Sequence, residues 1–261
     1  QYEAYRKAAR RMGNRPLIIR TLDVGGDKPL PYLDLGEEAN PFLGWRAIRF
    51  CLQRPDIFMP QLRAILRASA DDNGTPLNVK IMFPMVGTVG ELRAAKAMLA
   101  AARDELSNKG QLFNPHIEVG IMIEVPSAVA VADGLAREVN FFSVGTNDLT
   151  QYVMAADRGN AHVAGLASAF QPAVLRLIRD AAMAAHEAGI WIGMCGEFAG
   201  DPTATPLLLG LGLDELSMSA PSIPAVKEAV RSLTMDEARH LAARALAADS
   251  VDSVLALLKK S

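Results

Sequence analysis

Four short apolar runs in this chain each lead directly into charged or reactive side chains. Residues 17–19 end in Arg20, residues 119–123 in Glu124, residues 141–144 in the polar cluster 145–148, and residues 190–194 in Cys195. Segments with helical periodicity separate the runs, which is typical of parallel strands covered by helices. In a (β/α) barrel the carboxyl ends of the strands build the active site. The pattern therefore predicts an α/β fold, a (β/α)8 TIM barrel with these polar residues at one end.

Length, charge and cysteine content limit the class of protein. The 261 residues are enough for one barrel of about 250 residues, so we predict a single domain over residues 1–261. A net charge of −2 with scattered Arg and Lys gives no sign of a nucleic-acid surface. No apolar run approaches the roughly 18 residues of a membrane span, and two cysteines do not suggest a secreted disulfide scaffold. We therefore predict a cytoplasmic protein that binds neither nucleic acid nor membrane.

Several local signals predict where elements begin and end. Capping boxes at Thr88 and Thr234 each predict the start of a helix. Asp201 followed by Pro202 has the form of a helix N-cap with proline at the first helical position. The segment from Trp45 fits either a short strand or the start of a helix. Six strands are predicted, at residues 17–20, 79–83, 118–123, 141–144, 190–194 and 216–218. A closed barrel needs two more, of which the segment at Trp45 is one candidate.

Glu124 and Asp148 are candidate metal ligands, since each follows a predicted strand. Mg²⁺ takes one or two protein carboxylates and fills its other positions with water and substrate oxygens. Carboxylates without neighbouring His or Cys suit Mg²⁺ better than zinc. The alternative is that each carboxylate caps the helix that follows it. The occurrence of the pair at two strand ends favours a Mg²⁺ site.

Three arginines are candidate anion ligands: Arg20, Arg46 and Arg158. The guanidinium fork binds phosphate and carboxylate groups with two parallel hydrogen bonds. Any one of them could instead be a salt-bridge partner or an ordinary loop charge. Together with the predicted Mg²⁺ site, they indicate a small substrate that carries both a phosphate and a carboxylate.

The two cysteines lie in different surroundings. Cys51 lies within an apolar segment and is predicted to be a small buried side chain. Cys195 lies at a strand end, in a segment with glycine at 193 and at 196. Glycine neighbours allow a substrate to approach the backbone closely. Burial remains the alternative for Cys195, but we favour a proton donor or acceptor. A nucleophile is less favoured because no histidine is close in sequence to activate the thiol.

Several longer motifs resemble one family closely. They are residues 20–28, 40–46, 81–85, 120–126, 141–151, 157–160 and 193–197. Together they resemble the phosphoenolpyruvate-binding C-terminal domain of enzyme I, the phosphoenolpyruvate-protein phosphotransferase family of the bacterial phosphotransferase system. This family belongs with other phosphoenolpyruvate-utilising enzymes such as pyruvate phosphate dikinase and phosphoenolpyruvate synthase. The resemblance covers nearly the whole chain and implies a barrel of the phosphoenolpyruvate/pyruvate-binding type.

The resemblance also implies which residues bind the substrate. Arg20, Arg46 and Arg158 would bind the phosphate and the carboxylate of phosphoenolpyruvate. Asn147 and the backbone of Asp148 would contact the same molecule. In this interpretation the arginines stabilise the charge that spreads over the transferred phosphoryl group.

The metal and the proton donor follow from the same resemblance. Glu124 and Asp148 would hold Mg²⁺, and Cys195 would protonate the enolate carbon to give pyruvate. One departure concerns Gln171, since the family often has His or Ser before the Pro-Ala-Val-Leu segment. The contacts made by that loop are therefore not carried over.

The resemblance implies partners as well. The family transfers the phosphoryl group to a histidine on a mobile N-terminal domain, and then to a phosphocarrier protein. We interpret the chain, which begins with Gln1, as a fragment without that domain, able to bind phosphoenolpyruvate but not to complete the transfer. A homodimer is implied too. Two alternatives stay open: a Mg²⁺-dependent lyase or aldolase acting on an enolate, and a regulatory paralogue that senses phosphoenolpyruvate.

Overall fold

The computed structural model describes residues 1–25, 36 and 38–259. It divides into two compact units, residues 1–122 and residues 123–261. The single domain predicted from the sequence stays a prediction. Residues 26–28, which complete the motif of residues 20–28, lie outside the described residues.

The first unit alternates helices and strands. Its elements are α1 (Tyr2–Met12), β1 (Leu17–Arg20), α2 (Ala47–Gln53), α3 (Pro55–Ala68), β2 (Val79–Phe83), α4 (Val89–Asn108) and β3 (Glu118–Ile123), whose last residue opens the second unit. Strands β1, β2 and β3 pair side by side in parallel, from Leu17 opposite Val79 and from Lys80 opposite Glu118. Every residue of β2 is buried, as expected of a parallel strand covered on both faces.

In this unit the predicted capping box forms, and the candidate seventh strand does not. The capping box at Thr88 is present, because Thr88 Oγ1 accepts a hydrogen bond from Glu91 N at 3.1 Å and Glu91 Oε2 accepts one from Thr88 N at 3.0 Å. Such a cap stabilises a helix by about 1 kcal/mol. The segment after Trp45 is the helix α2 and not a seventh strand.

The second unit contains more helices than the first. Its elements are α5 (Pro126–Ala130), α6 (Ala132–Ala136), β4 (Phe141–Gly145), α7 (Thr146–Met154), α8 (Pro172–Glu187), β5 (Trp191–Cys195), α9 (Thr205–Gly210), β6 (Glu215–Ser217), α10 (Ile223–Arg231), α11 (Met235–Leu246) and α12 (Val251–Leu258). The capping box at Thr234 is confirmed at the start of α11. Among the helices in the described ranges, none is both long and apolar enough to cross a membrane.

Strands β4, β5 and β6 also pair in parallel and in chain order. Gly145 and Ser217 are the partners of Cys195 on its two sides, so the carboxyl ends of these strands lie level. At the other end of β4 and β5, the rings of Phe141 and Trp191 stack with centroids 4.5 Å apart. The α/β class is therefore confirmed by the parallel strands of both units. The described residues contain six strands, and closure into an eight-stranded barrel stays a prediction.

The prediction that Asp201 and Pro202 begin a helix is wrong. Helix α9 begins three residues later, at Thr205, with Ala204 as its N-cap. Asp201 Oδ1 instead accepts a hydrogen bond from Thr203 N at 2.8 Å, which closes a turn around Pro202. Aspartate before proline suits a turn as well as a helix N-cap, and here the turn prevails.

Gly210 lies where α9 and α11 approach each other closely. A Cβ at this position would collide with the carbonyl oxygen of Ala238 and lie 2.9 Å from the Cβ of Ala242. Alanine favours a helix over glycine by about 1 kcal/mol, but the collision with backbone outweighs this gain. We expect Gly210→Ala to lower the free energy of unfolding by about 2 kcal/mol or more, measured by urea denaturation.

Gly165 provides the matched control. It lies in the same unit, and a Cβ there would meet nothing within 4 Å. We expect Gly165→Ala to change the free energy of unfolding by less than about 0.5 kcal/mol. Equal stability of the two variants would show that α9 and α11 can separate without cost.

Candidate functional site

The first unit joins two of the three predicted arginines, Arg20 and Arg46, through one carboxylate. Arg20 ends β1, and Arg46 is the extended residue from which α2 begins. Arg46 Nη2 lies 3.1 Å from Asp23 Oδ1, and Arg20 Nη1 lies 3.7 Å from Asp23 Oδ2. The side chain of Arg46 is 0% exposed and that of Asp23 is 2% exposed, whereas that of Arg20 is 42% exposed. Arg20 is thus the member of this cluster that a molecule in solution can reach directly.

Asp23 lies in a backbone segment held on both sides. Leu22 N donates a hydrogen bond to Gln61 Oε1 at 2.9 Å, and Ala47 N donates one to Val24 O at 2.9 Å. Gly25 has φ of 104°, and a Cβ there would lie 2.6 Å from the Cβ of Arg46. Only glycine therefore allows the segment to pack this closely against Arg46.

The predicted metal ligands are both buried carboxylates of the second unit. Glu124 directly follows β3 and is 1% exposed, and Asp148 lies in the first turn of α7 and is 6% exposed. Buried carboxylates persist in proteins only when they are paired or coordinated. Neither is the residue that caps the following helix, since the N-caps are Val125 for α5 and Gly145 for α7.

These donors fit Mg²⁺ by type and by number. In the part of the chain that the structure describes, no group of three or more His, Cys, Asp or Glu side chains is placed to hold a metal ion. Zinc sites normally need three or four such ligands, whereas Mg²⁺ is commonly bound by one or two carboxylates and by the phosphate of the substrate. The hard oxygen donors of Glu124 and Asp148 therefore suit Mg²⁺.

Helix α7 positions two further predicted residues. Asn147 is exposed in the first turn of α7. The backbone N–H of Arg158 donates to Gln151 Oε1 at 3.1 Å, so the loop that carries Arg158 is tied to the other end of the same helix. Gln151 is itself 5% exposed. Gln151 ends the motif of residues 141–151, whose pattern alone predicts no role for it.

Cys195 stands at the carboxyl end of β5, beside the turn that leads into α7. Its partner Gly145 on β4 precedes Asn147 and Asp148 by two and three residues. The half-buried thiol Sγ lies 3.7 Å from the carbonyl oxygen of Val144, to which it can donate. Gly196, the next residue, has φ of 103°. A Cβ at this position would lie 3.9 Å from the hydroxyl oxygen of Thr146. The second unit therefore brings three predicted residues, Asn147, Asp148 and Cys195, to one end of its strands.

An open cleft of about 480 Å³ lies next to Cys195 in this unit. Ser217, Ser219 and Ser222 line it together with Glu197, Met218 and the two glycines Gly196 and Gly200. Solvent can therefore reach the end of β5. A larger cleft of about 660 Å³ follows one face of α10 and contains none of the predicted site residues.

The two cysteines differ in burial, which predicts a difference in reactivity. Burial, and secondarily the charge of Asp23, raises the pKa of Cys51 from 9.0 to about 12. Because the folded-state pKa is raised, the stability linked to this thiol is complete below pH 9 and is lost as the pH rises towards 12. At pH 8 only about 1 in 10⁴ of the Cys51 groups is thiolate, the form that reacts.

We therefore expect iodoacetamide at pH 8 to modify Cys195 at least about 100-fold faster than Cys51. Mass spectrometry of digested peptides at successive times measures both rates. In 8 M urea the two thiols should react alike, which serves as the control. Equal rates in the folded protein would contradict the burial of Cys51.

A family model and two curated relatives show which family this chain is similar to. Residues 1–235 match the family described as "PEP-utilising enzyme, PEP-binding domain". The chain is 52% identical over 260 residues to the phosphoenolpyruvate-protein phosphotransferase of Staphylococcus carnosus (strain TM300), covering 100% of this chain and 44% of that protein. It is 50% identical over 261 residues to the protein of the same name from Bacillus subtilis (strain 168), covering 100% of this chain and 45% of that protein. The chain thus spans less than half the length of these relatives.

A solved structure supports the fold class alone. The crystal structure of a citrate lyase from Burkholderia xenovorans LB400 superposes with a TM-score of 0.50 at 19% sequence identity. The match covers 78% of this chain and 68% of that protein. At this identity the similarity concerns the fold and not the reaction.

Proposed function

The chain belongs to the family of phosphoenolpyruvate-binding domains of phosphoenolpyruvate-utilising enzymes, and we propose that it is the part of an enzyme I that binds phosphoenolpyruvate and Mg²⁺. The main support is identity of about 50% along the whole chain to proteins named phosphoenolpyruvate-protein phosphotransferase. The chain then supports transfer of the phosphoryl group to a histidine and releases pyruvate.

In this proposal the arginines bind the anionic groups of the substrate. Arg20 and Arg158 supply guanidinium groups to the phosphate and carboxylate, and Asn147 with the backbone N–H of Asp148 contacts the same molecule. Arg46 is fully buried, so its direct contact with the substrate requires the atoms that cover it to move. The fixed positive groups stabilise the charge on the phosphoryl oxygens during transfer.

Glu124 and Asp148 would hold the metal. Bound there, Mg²⁺ supplies Lewis-acid polarisation of the phosphoryl and carboxylate oxygens of the substrate. Glu124 directly follows β3, and Asp148 lies in the first turn of α7, the helix that follows β4; their burial supports a site of fixed geometry. Their own contribution is to present carboxylate oxygens that are already shielded from water.

Cys195 completes the reaction by donating a proton. Loss of the phosphoryl group leaves the enolate of pyruvate, whose C3 carbon takes the proton from the thiol. A C–H bond forms, the S–H bond breaks, and the thiolate regains a proton from solvent through the adjacent cleft. The support is the position of Cys195 beside Gly145, next to the turn that carries Asn147 and Asp148.

The phosphoryl acceptor is proposed to lie outside this chain. The relatives are more than twice as long, and the four histidines of this chain lie outside every motif that carries the resemblance. A histidine on an N-terminal domain would take the phosphoryl group and pass it to a phosphocarrier protein. We further propose a cytoplasmic homodimer in which the strands belong to an eight-stranded barrel of the phosphoenolpyruvate/pyruvate-binding type.

Calorimetric titration of this chain with phosphoenolpyruvate tests the proposal. We expect binding in Mg²⁺ and much weaker binding in EDTA. Incubation with ³²P-labelled phosphoenolpyruvate should leave no phosphohistidine on the chain. Absence of binding in Mg²⁺ would refute the proposed substrate, and phosphohistidine on the chain would refute the missing acceptor.

A further inference from the structure

We propose that Asp23 is a positioning residue that, anchored by the buried Arg46, holds the accessible guanidinium group of Arg20 in the arrangement in which Arg20 meets the anionic substrate. The inference rests on the proposed function, because it assigns the binding of phosphoenolpyruvate to this cluster. Asp23 itself does not touch the substrate. It acts through Arg20, and Arg46 is its buried anchor.

The geometry makes Asp23 the common partner of a buried and an accessible cation. Its Oδ1 pairs with Arg46 at 3.1 Å and its Oδ2 with Arg20 at 3.7 Å, so each carboxylate oxygen serves a different arginine. Exposure rises along the series, from 0% at Arg46 and 2% at Asp23 to 42% at Arg20. The carboxylate therefore links the interior of the unit to the surface at the end of β1.

Charge explains why a carboxylate is needed at this point. Two guanidinium groups next to one another repel, and the buried charge of Arg46 cannot be retained without a partner. One carboxylate between two cations leaves the three groups with a net charge of +1. The cluster is thus stable without substrate and still attracts a phosphate or carboxylate.

The backbone around Asp23 restricts where its carboxylate can be. Hydrogen bonds from Leu22 N to Gln61 and from Ala47 N to Val24 O fix the segment before and after Asp23. The arginine side chains therefore lose much of their rotational freedom before the substrate arrives. Preorganisation of this kind improves affinity because binding no longer has to order the side chains.

A purely structural ion pair is the competing explanation. In that case Asp23 would stabilise the fold through Arg46 alone, and its replacement would lower stability without changing the affinity of folded protein for the substrate. The Arg20 contact separates the two explanations, since Arg20 is accessible and adds little to a buried pair. If Asp23 positions Arg20, substitutions at the two residues are not additive in binding.

The test compares Asp23→Glu and Asp23→Asn with Arg20→Met and with the double variant Arg20→Met/Asp23→Glu. Asp23→Glu keeps the charge on Arg46 paired, which guards against loss of folding, but its longer side chain displaces both arginines by about 1 Å. The dissociation constant of phosphoenolpyruvate in Mg²⁺ is measured by calorimetry at a temperature where circular dichroism shows each variant folded. We expect Asp23→Glu to weaken binding by about 10-fold to 100-fold, and to add little in the Arg20→Met background.

Glu118→Gln is the matched control in the same unit. Glu118 pairs with Lys80 near the amino-terminal ends of β3 and β2, whereas Arg20 lies at the carboxyl end of β1, so the substitution removes an ion pair without touching the cluster at Asp23. Its affinity for phosphoenolpyruvate should equal that of the unchanged chain. If Arg20→Met weakens binding but Asp23→Glu and Asp23→Asn do not, or if the two sites are additive, the inference fails. If the unchanged chain does not bind phosphoenolpyruvate, the proposed function fails instead.

Discussion

Cys195→Ala should slow the exchange of pyruvate methyl protons with deuterated solvent by about 10²-fold to 10⁴-fold in the presence of Mg²⁺. The thiol is the proposed donor to C3 of the enolate, and the same group removes the proton in the reverse direction. Alanine retains the volume of the Cβ and removes only the sulfur. Affinity for phosphoenolpyruvate should therefore change little. Loss of the methyl signal in proton NMR spectra gives the exchange rate.

Cys51→Ala is the control for this experiment. It deletes the other thiol of the chain. That thiol is buried in the first unit, where Cys51 Sγ lies 3.6 Å from the carbonyl oxygen of Leu22. We expect lower stability from the cavity and an unchanged exchange rate in the folded protein. If the methyl protons exchange as fast with Cys195→Ala as with the unsubstituted chain, the role of Cys195 is contradicted and the lyase or aldolase alternative is open again. The same follows if the unsubstituted chain exchanges these protons no faster than buffer does.

Much of the secondary structure could be predicted because its signals are local. The predicted bounds of the first three strands are those observed for β1, β2 and β3, and both capping boxes form as their spacing indicates. Apolar periodicity and helix caps depend on neighbours a few residues away. The segment at Trp45 could not be settled in this way, since an apolar run of that length fits a strand and a helix equally.

The error at Asp201 shows where local signals compete. Aspartate can accept a hydrogen bond from the backbone two residues ahead in a turn or at a helix N-cap, and proline is compatible with both. Residues 201–204 form the turn, and α9 starts only at Thr205. The local sequence contains nothing that separates these two outcomes.

The pairing of Arg20 with Arg46 through Asp23 depends on contacts that the sequence does not reveal. Asp23 lies inside one of the motifs that carry the resemblance, yet the role proposed for it rests on distances such as that to Arg46, 23 residues away in the chain. The burial of Arg46 could not be predicted from the sequence either, because arginine is normally exposed. By contrast, the carboxyl ends of β4 and β5 could be predicted to carry polar residues, since parallel strands align their ends. It stays a proposal that residues of both units act on one substrate.

Glu124→Gln and Asp148→Asn should each weaken Mg²⁺-dependent binding of phosphoenolpyruvate by at least about 100-fold. Each substitution preserves the size of the side chain and removes a negative oxygen from a buried position. A neutral amide is a poor ligand for Mg²⁺, and the substrate phosphate then lacks the cation that balances its charge. Calorimetric titration with phosphoenolpyruvate over a series of Mg²⁺ concentrations measures the change. Binding in EDTA should be almost the same for the variants and the unchanged chain.

Glu215→Gln supplies the control with the same chemical change in the same unit. Glu215 begins β6, opposite Gly193, and burial raises the pKa of its carboxyl group. Because the folded-state pKa is raised, its charged form opposes folding at neutral pH, so the amide should not lower stability there. Its Mg²⁺-dependent affinity should match that of the unchanged chain. A Glu124→Gln variant that behaves like Glu215→Gln would show that Glu124 is not a metal ligand and that its burial has another cause.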